Sequence, residues 1–378
     1  MIKLISRRVG ALALCTAATV ATATLAVHAW AYVGPPSARG LADDLPPAAR
    51  KHVTDLVSSL ARPRTPAPDR AANSLAEECL AAAEVFAHGD HSVEKTMRGA
   101  ADDLLASTID NGRKPAWGRR IEDNKAANCP NGGARDNGTC DPPDTPYVFQ
   151  SGEAGACIAR VAKLTGDAKY AEFMKRANAF WLRNSALHKE CNGCRYFWDS
   201  DIEANNVRYV RNLNLYGALP IAISDGRPGY TPPAVAEVLK AEAWEASKHN
   251  NGYLSALDPG WGGKNQAWES DRIENHAVGV ATILISIYNV TGNEEARKFA
   301  LNDYNLWATC SNSRCQHLDC RNWSANPDEC ANTYTYAHCA FRNDSPLARQ
   351  RCLQVMDKTD RLNANELLYI LMGDKPGG

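Results

Sequence analysis

Acids, indoles and a histidine gather in a few short segments of this 378-residue chain. Asp199, Asp201 and Glu203 alternate along one segment, Glu269, Asp271 and Glu274 sit in a second, and Glu153 stands in Phe149-Gln-Ser-Gly-Glu-Ala-Gly155. Glycoside hydrolysis needs one carboxylic acid to protonate the leaving oxygen and one carboxylate as base or nucleophile. Glu153, Asp201 and Asp271 are the candidates for those roles. Loops are acidic in most proteins, so each of these residues also has an ordinary surface or helix-capping reading.

A second constellation suits a different reaction. Glu274-Asn275-His276 lies near Arg208, Tyr209, Arg211 and Arg272 in the repeat pattern described below. A polysaccharide lyase or epimerase must neutralise a uronate, withdraw its C5 proton and protonate the departing oxygen. His276 is the candidate base and Tyr209 the candidate acid, with Asn275, Arg211 and Arg272 on the carboxylate. Asn214 occupies the register of His276, each three residues before a glycine, and joins them as a substrate-binding candidate.

The indoles share a pattern. Trp117, Trp198, Trp261, Trp268 and Trp323 each stand beside charged or amide side chains shortly before an apolar segment. Aromatic faces with polar neighbours suit pyranose rings, whose C–H faces stack and whose hydroxyls hydrogen-bond. The same tryptophans would equally serve as plugs between helices. A cysteine or zinc site built from Cys191/Cys194 or from the Cys310–Cys339 cluster is a third constellation. The chain has no phosphate-binding glycine loop, Gly-x-Ser-x-Gly elbow, His-Glu-x-x-His or calcium loop, and no cofactor or metal is expected.

The elements that must position these groups are helical and repeated. Gly155 to Gly166 and Gly279 to Gly292 are apolar segments, each followed by an amphipathic one with a tryptophan (Trp181, Trp307) at the same distance from the turn glycine. Similar breaks occur at His88-Gly89-Asp90, Ser224-Asp225-Gly226 and Met372-Gly373-Asp374. Each break pairs a glycine able to adopt positive φ with an Asp or Asn suited to capping the next helix. Tyr170, Phe173, Met174, Ala177 and Trp181 share one face of their segment, whereas Val278 to Tyr288 and Leu215 to Ile223 are apolar all round. A helix apolar on every side is enclosed and one with a single stripe lies outside. Gly155, Gly217 and Gly279, at the starts of the enclosed segments, are evenly spaced. The expected fold is all-α: an (α/α)5–6 toroid of repeated helical hairpins, cross-linked by disulfides, with an open solenoid as the alternative.

Leu164-Thr-Gly-Asp167, followed by Tyr170, Ala177 and Trp181 and echoed around Thr291-Gly292, resembles the six-hairpin toroid superfamily. The resemblance covers most of the chain beyond its first 31 residues and is one of fold. It implies a carbohydrate-active enzyme, since that group includes glycoside hydrolases, polysaccharide lyases and uronate epimerases. Asn275-His276 is similar to the Asn-His pairs of toroid lyases that act on uronates.

The first residues read as an export signal. Lys3, Arg7 and Arg8 precede an apolar run from Val9 to Val27, and Ala29-Trp30-Ala31 offers a cleavage site. The expected organisation is a signal at 1–31, a helix and Pro-rich linker at 32–70, and one toroid domain at 71–378 with a Cys-rich insertion at 310–352. The expected location is extracytoplasmic, periplasmic or secreted, with no membrane insertion after signal removal. The net charge is −1, which argues against a nucleic-acid partner. Of the 13 cysteines, Cys15 leaves with the signal, and the even remainder reads as a disulfide framework. Proximity suggests Cys129–Cys140, Cys191–Cys194, Cys310–Cys315, Cys320–Cys330 and Cys339–Cys352, with Cys79–Cys157 joining two helices. The expected partner is a polysaccharide or oligosaccharide, cleaved by the protein or, in the alternative, only bound by a toroid that acts as a scaffold.

Overall fold

The computed structural model describes residues 41–66, 72–109, 113–118, 135–136, 139–142, 144–203, 211–247, 273–308, 333–358 and 362–374. These are mostly helical. The helices are α1 (Pro47–Leu60), α2 (Ala72–Ala87), α3 (Glu94–Ala106), α4 (Val148–Thr165), α5 (Ala168–Arg183), α6 (Arg211–Asp225), α7 (Pro233–Ser247), α8 (Ile273–Thr291), α9 (Glu294–Ala308), α10 (Ala337–Ala340), α11 (Pro346–Lys358) and α12 (Ala364–Met372). The expected signal segment and the Cys-rich stretch from Cys310 to Cys330 lie outside the described residues. Among the described residues no helix is long and apolar enough to cross a membrane.

Turn chemistry sets the hairpins. α4 ends at Gly166 with φ of 65°, and Asp167 then caps α5 by accepting from the Lys169 amide at 3.1 Å. α8 ends at Gly292 with φ of 70°, and the Asn293 side chain accepts from the Ala296 amide at 3.0 Å. Gly226 and Gly373 depart from this pattern and lie outside the left-handed region. A Cβ on Gly373 would strike the Cys339 carbonyl, so that glycine serves close approach.

Packing follows the two kinds of helix. On α5, Tyr170, Phe173, Met174, Ala177 and Trp181 are all buried, while α4, α6 and α8 are enclosed on nearly every side. α2 packs on α4, α4 on α6 and α6 on α8; α8 meets α10, α10 packs on α12, and α12 returns to α2. The remaining helices lie against these: α3 on α2 and α4, α5 on α4 and α6, α7 on α6, α9 on α8, α11 on α10, and α1 on α2, α11 and α12. One continuous apolar core runs from Ala42 to Met372. The three evenly spaced glycines lie inside the enclosed helices rather than at their starts. Gly155 abuts the Pro220 ring, a Cβ on Gly217 would enter the Phe197 ring, and Gly279 approaches the Tyr216 hydroxyl.

Strands are few. β1 (Arg135–Asp136) pairs with β2 (Thr139–Cys140), and β3 (His188–Cys191) pairs antiparallel with β4 (Cys194–Phe197), Cys191 facing Cys194. Asn192-Gly193 closes the second hairpin, with Gly193 at φ of 74°. β4 packs on α7 and α6.

Buried ion pairs tie distant helices together. Arg160 of α4 meets Glu84 of α2 at 2.7 Å, both side chains fully buried. Arg211 of α6 reaches Glu242 of α7 at 2.7 Å and grips both oxygens of Asp303 of α9 at 2.8 Å. Arg342 joins Asp44 to Asp374, closing the N-terminal segment on the end of the last helix. Cys79–Cys157, Cys191–Cys194 and Cys339–Cys352 stand at disulfide distance, with Cα separations of 5.9, 4.8 and 4.7 Å. The other expected pairs fall on side chains outside the described residues.

Candidate functional site

Three enclosed helices each bring a polar residue of their second turn to one place: Glu77 from α2, Glu153 from α4 and Tyr216 from α6. Tyr216 hydrogen-bonds Glu153, and the charge of Glu77 acts on the same carboxyl. Gly152 sets up this meeting, since a Cβ there would sit 2.5 Å from the Tyr216 carbonyl oxygen. The bare glycine lets α4 and α6 touch backbone to backbone and delivers the phenol beside Glu153. Phe149 meets the Tyr216 ring edge-on at 4.9 Å, which fixes the ring plane. The Tyr216 hydroxyl lies 3.9 Å from the position a Gly279 Cβ would take, so α8 borders the same place.

Burial, aided by the neighbouring Glu77 charge, pushes the Glu153 carboxyl up to about 8, against the pull of the Tyr216 hydrogen bond. Glu153 keeps some exposed surface, but its Oε2 is enclosed without a hydrogen-bond partner. Two further enclosed oxygens share that condition: Gln150 Oε1, one turn before Glu153, and Asn212 Oδ1, one turn before Tyr216. Both therefore share a helix face with the residue they precede.

A strap of chain crosses the start of α4. The Val148 amide donates to the Asp199 carbonyl at 2.8 Å, and Tyr147 bridges Ser200. This holds Asp201 at the same end of α4, with its Oδ1 enclosed and unpartnered. Burial raises the Asp201 carboxyl, Lys114 opposes that, and Asp144 and Asp141 add to it. Lys114 is itself engaged by Asp144 at 3.1 Å.

The sequence candidates divide. Glu153 and Asp201 lie at this end of α4. Arg211 does not serve a uronate: its guanidinium is saturated by Glu242 and Asp303 deep between α6, α7 and α9. Trp117 offers no stacking face, because its indole is 1% exposed, donates to the Leu104 carbonyl at 2.8 Å and packs on Phe173. Asn214 is fully buried, and its Oδ1 accepts from the Phe197 amide at 2.9 Å, fastening β4 to α6. Trp198 is half-buried, its backbone amide bonded to Leu187 at 2.9 Å. Asn275 and His276 fall in the first turn of α8, one turn before Gly279, with side chains outside the described residues. Tyr209, Trp261, Trp268, Asp271, Arg272 and Trp323 lie outside them altogether. Among the described residues Asp199, Asp201 and Glu203 do not converge into a metal-ligating group, and Cys191 and Cys194 stand at disulfide distance across the β3–β4 hairpin.

Glu77 and Tyr216 are the members that sequence reasoning missed. Glu77 sits in Ala-Glu-Glu-Cys of an Ala-rich helix, where an acid reads as surface charge. Its signal was that α2 is mostly apolar, with a run of small residues from Ala81 to Ala83, as an enclosed helix should be.

No family model, no curated protein and no solved structure matches the chain.

Proposed function

We propose that the chain is an exported glycoside hydrolase built on a closed (α/α) toroid, with Glu153 as general acid and Glu77 as the second carboxylate. The toroid reading is supported by the succession of enclosed helices α2, α4, α6, α8, α10 and α12, each packed on its neighbour and the last on the first, with the intervening helices outside. The observation that carries the activity is the Glu153 carboxyl itself: enclosed, close to a second carboxylate, and held protonated at neutral pH. An acid tuned upward beside a second carboxyl group is how two identical functional groups take opposite roles.

In this scheme the Glu153 proton passes to the glycosidic oxygen as its bond to the anomeric carbon breaks. Glu77 takes a proton from the incoming water, whose oxygen bonds to that carbon. The Tyr216 hydroxyl holds the Glu153 carboxyl in place and stabilises its carboxylate after the proton has left. The export signal and the disulfide-rich composition support an extracytoplasmic location. The lyase scheme loses Arg211, and with it one of its carboxylate neutralisers.

The test is incubation with neutral and charged polysaccharides, following reducing ends and the ultraviolet absorbance of unsaturated uronates together. The hydrolase reading expects reducing ends without that absorbance, abolished in Glu153→Gln and Glu77→Gln. Absorbance rising with the reducing ends, and lost in His276→Ala, would restore the lyase scheme. No release from any glycan would leave a binding protein, a role that the burial of Trp117 in the helix layer also fits.

A further inference from the structure

The enclosed polar atoms without partners are not scattered by type. At the site end of α4 and α6 they are oxygens: Gln150 Oε1, Glu153 Oε2, Asp201 Oδ1 and Asn212 Oδ1. Elsewhere among the described residues they are mostly nitrogens, as at Arg64, Arg195, Asn289 and Arg351. Asn212 is the most telling member. It is 8% exposed, it shares a face of α6 with Tyr216, and its Oδ1 accepts nothing. Burying an acceptor without a donor is costly, so four such atoms at the same end of α4 and α6 await a ligand that donates.

Charge points the same way. Among the described residues, the charged group acting on Glu153 is a carboxylate, Glu77. Asp201 is flanked by Asp141 and Asp144, while the nearby cation Lys114 is already bound to Asp144. Arg211, which could have met an anionic sugar, is spent between two buried acids. A uronate brings acceptors and negative charge to a place rich in both. An ammonium group brings three donors and positive charge.

We propose that the glycan taken at this site carries ammonium groups, as a chain of amino sugars with free amines does, rather than uronate carboxylates. The inference rests on the hydrolase reading for its location but makes a separate claim about binding. Asp201, Gln150 and Asn212 receive the sugar's N–H and O–H donors, while Glu77 and Glu153 flank the bond to be cut.

The experiment measures binding calorimetrically with Glu153→Gln, in mildly acidic buffer where the amines are charged. The probes are glucosamine oligomers, their N-acetylated counterparts and galacturonate oligomers. Glucosamine oligomers are expected to bind roughly tenfold tighter than either of the others, with the preference shrinking as salt rises. Asp201→Asn, folded by circular dichroism, is expected to lose several-fold of that preference, weakening the glucosamine oligomers more than the N-acetylated ones. Equal or tighter binding of galacturonate, a preference indifferent to salt, or no binding of glucosamine oligomers overturns the proposal. A cleavage assay of the unmutated protein separates the two claims. Glucosamine oligomers bound but never cut would sink the hydrolase and keep the ligand class; Glu153-dependent cutting of another glycan, with glucosamine oligomers unbound, would do the reverse.

Discussion

Glu84 and Glu242 are buried against guanidinium groups, whereas Glu153 is enclosed against another carboxylate. The residue type is the same and the helices are neighbours, but the electrostatic situation is opposite. Where Arg160, Arg211 and Arg342 meet their acids, each carboxylate has a guanidinium partner and donors are matched to acceptors, which fixes α2 to α4, α6 to α7 and α9, and the N-terminal segment to the end of α12. At Glu153 the like-charged neighbour and the idle oxygens leave free energy unspent, which a proton or a ligand can recover. Buried acids of the first kind hold the fold; the second kind is where chemistry belongs.

Breaking the first kind gives the largest effect. Arg211→Met strands Glu242 and Asp303 without their cation and is expected to lower stability by about 3–5 kcal/mol in denaturant unfolding. Next comes the pH dependence that only the second kind produces. Glu153 holds its proton up to about 8 when folded but only to about 4.5 when unfolded, so the folded chain binds more protons in between. Stability should therefore be highest below the lower value and fall as pH rises through the upper one, by on the order of a few kcal/mol. Glu153→Gln removes that slope, so melting curves across this range should flatten and the variant should outlast the parent in alkaline buffer.

The next prediction joins the two regions. Gly152→Ala pushes a methyl into the Tyr216 backbone, which cannot yield as a side-chain tip could, and should cost about 1–3 kcal/mol. It should also disturb the Glu153 titration, because it shifts the phenol that bonds the carboxyl. Trp117→Phe has the smallest effect, about 1 kcal/mol, from the lost bond to the Leu104 carbonyl. If that indole stacked on sugar instead, the substitution would raise KM on the cleaved glycan, and unchanged KM is the expected result.

Periodicity made the helix layers legible. The Tyr170–Trp181 stripe and the apolar runs around Leu215 and Val278 depend on local spacing alone, and the structure buries those described as they require. Sequence proximity likewise anticipated that Cys191 and Cys194, and Cys339 and Cys352, stand at disulfide distance, and helix pairing did so for Cys79 and Cys157. The β3–β4 hairpin was missed, although Asn192-Gly193 between Cys191 and Cys194 is a hairpin-turn signal. The partners of Arg211 could not be read, since Glu242 and Asp303 lie 31 and 92 residues away and meet it only through packing of three helices. Glu77 was lost for the same reason: its importance lies in facing Glu153 across the boundary between α2 and α4, which no single helix displays.

The most direct measurement is the titration of Glu153 itself, by carboxyl infrared difference spectroscopy of the parent against Glu153→Gln. The expected result is a carboxylic acid that persists through neutral pH, ionises at about 8 and ionises at lower pH in Glu77→Gln. A carboxylate already formed in the ordinary glutamate range, and indifferent to Glu77, would contradict it.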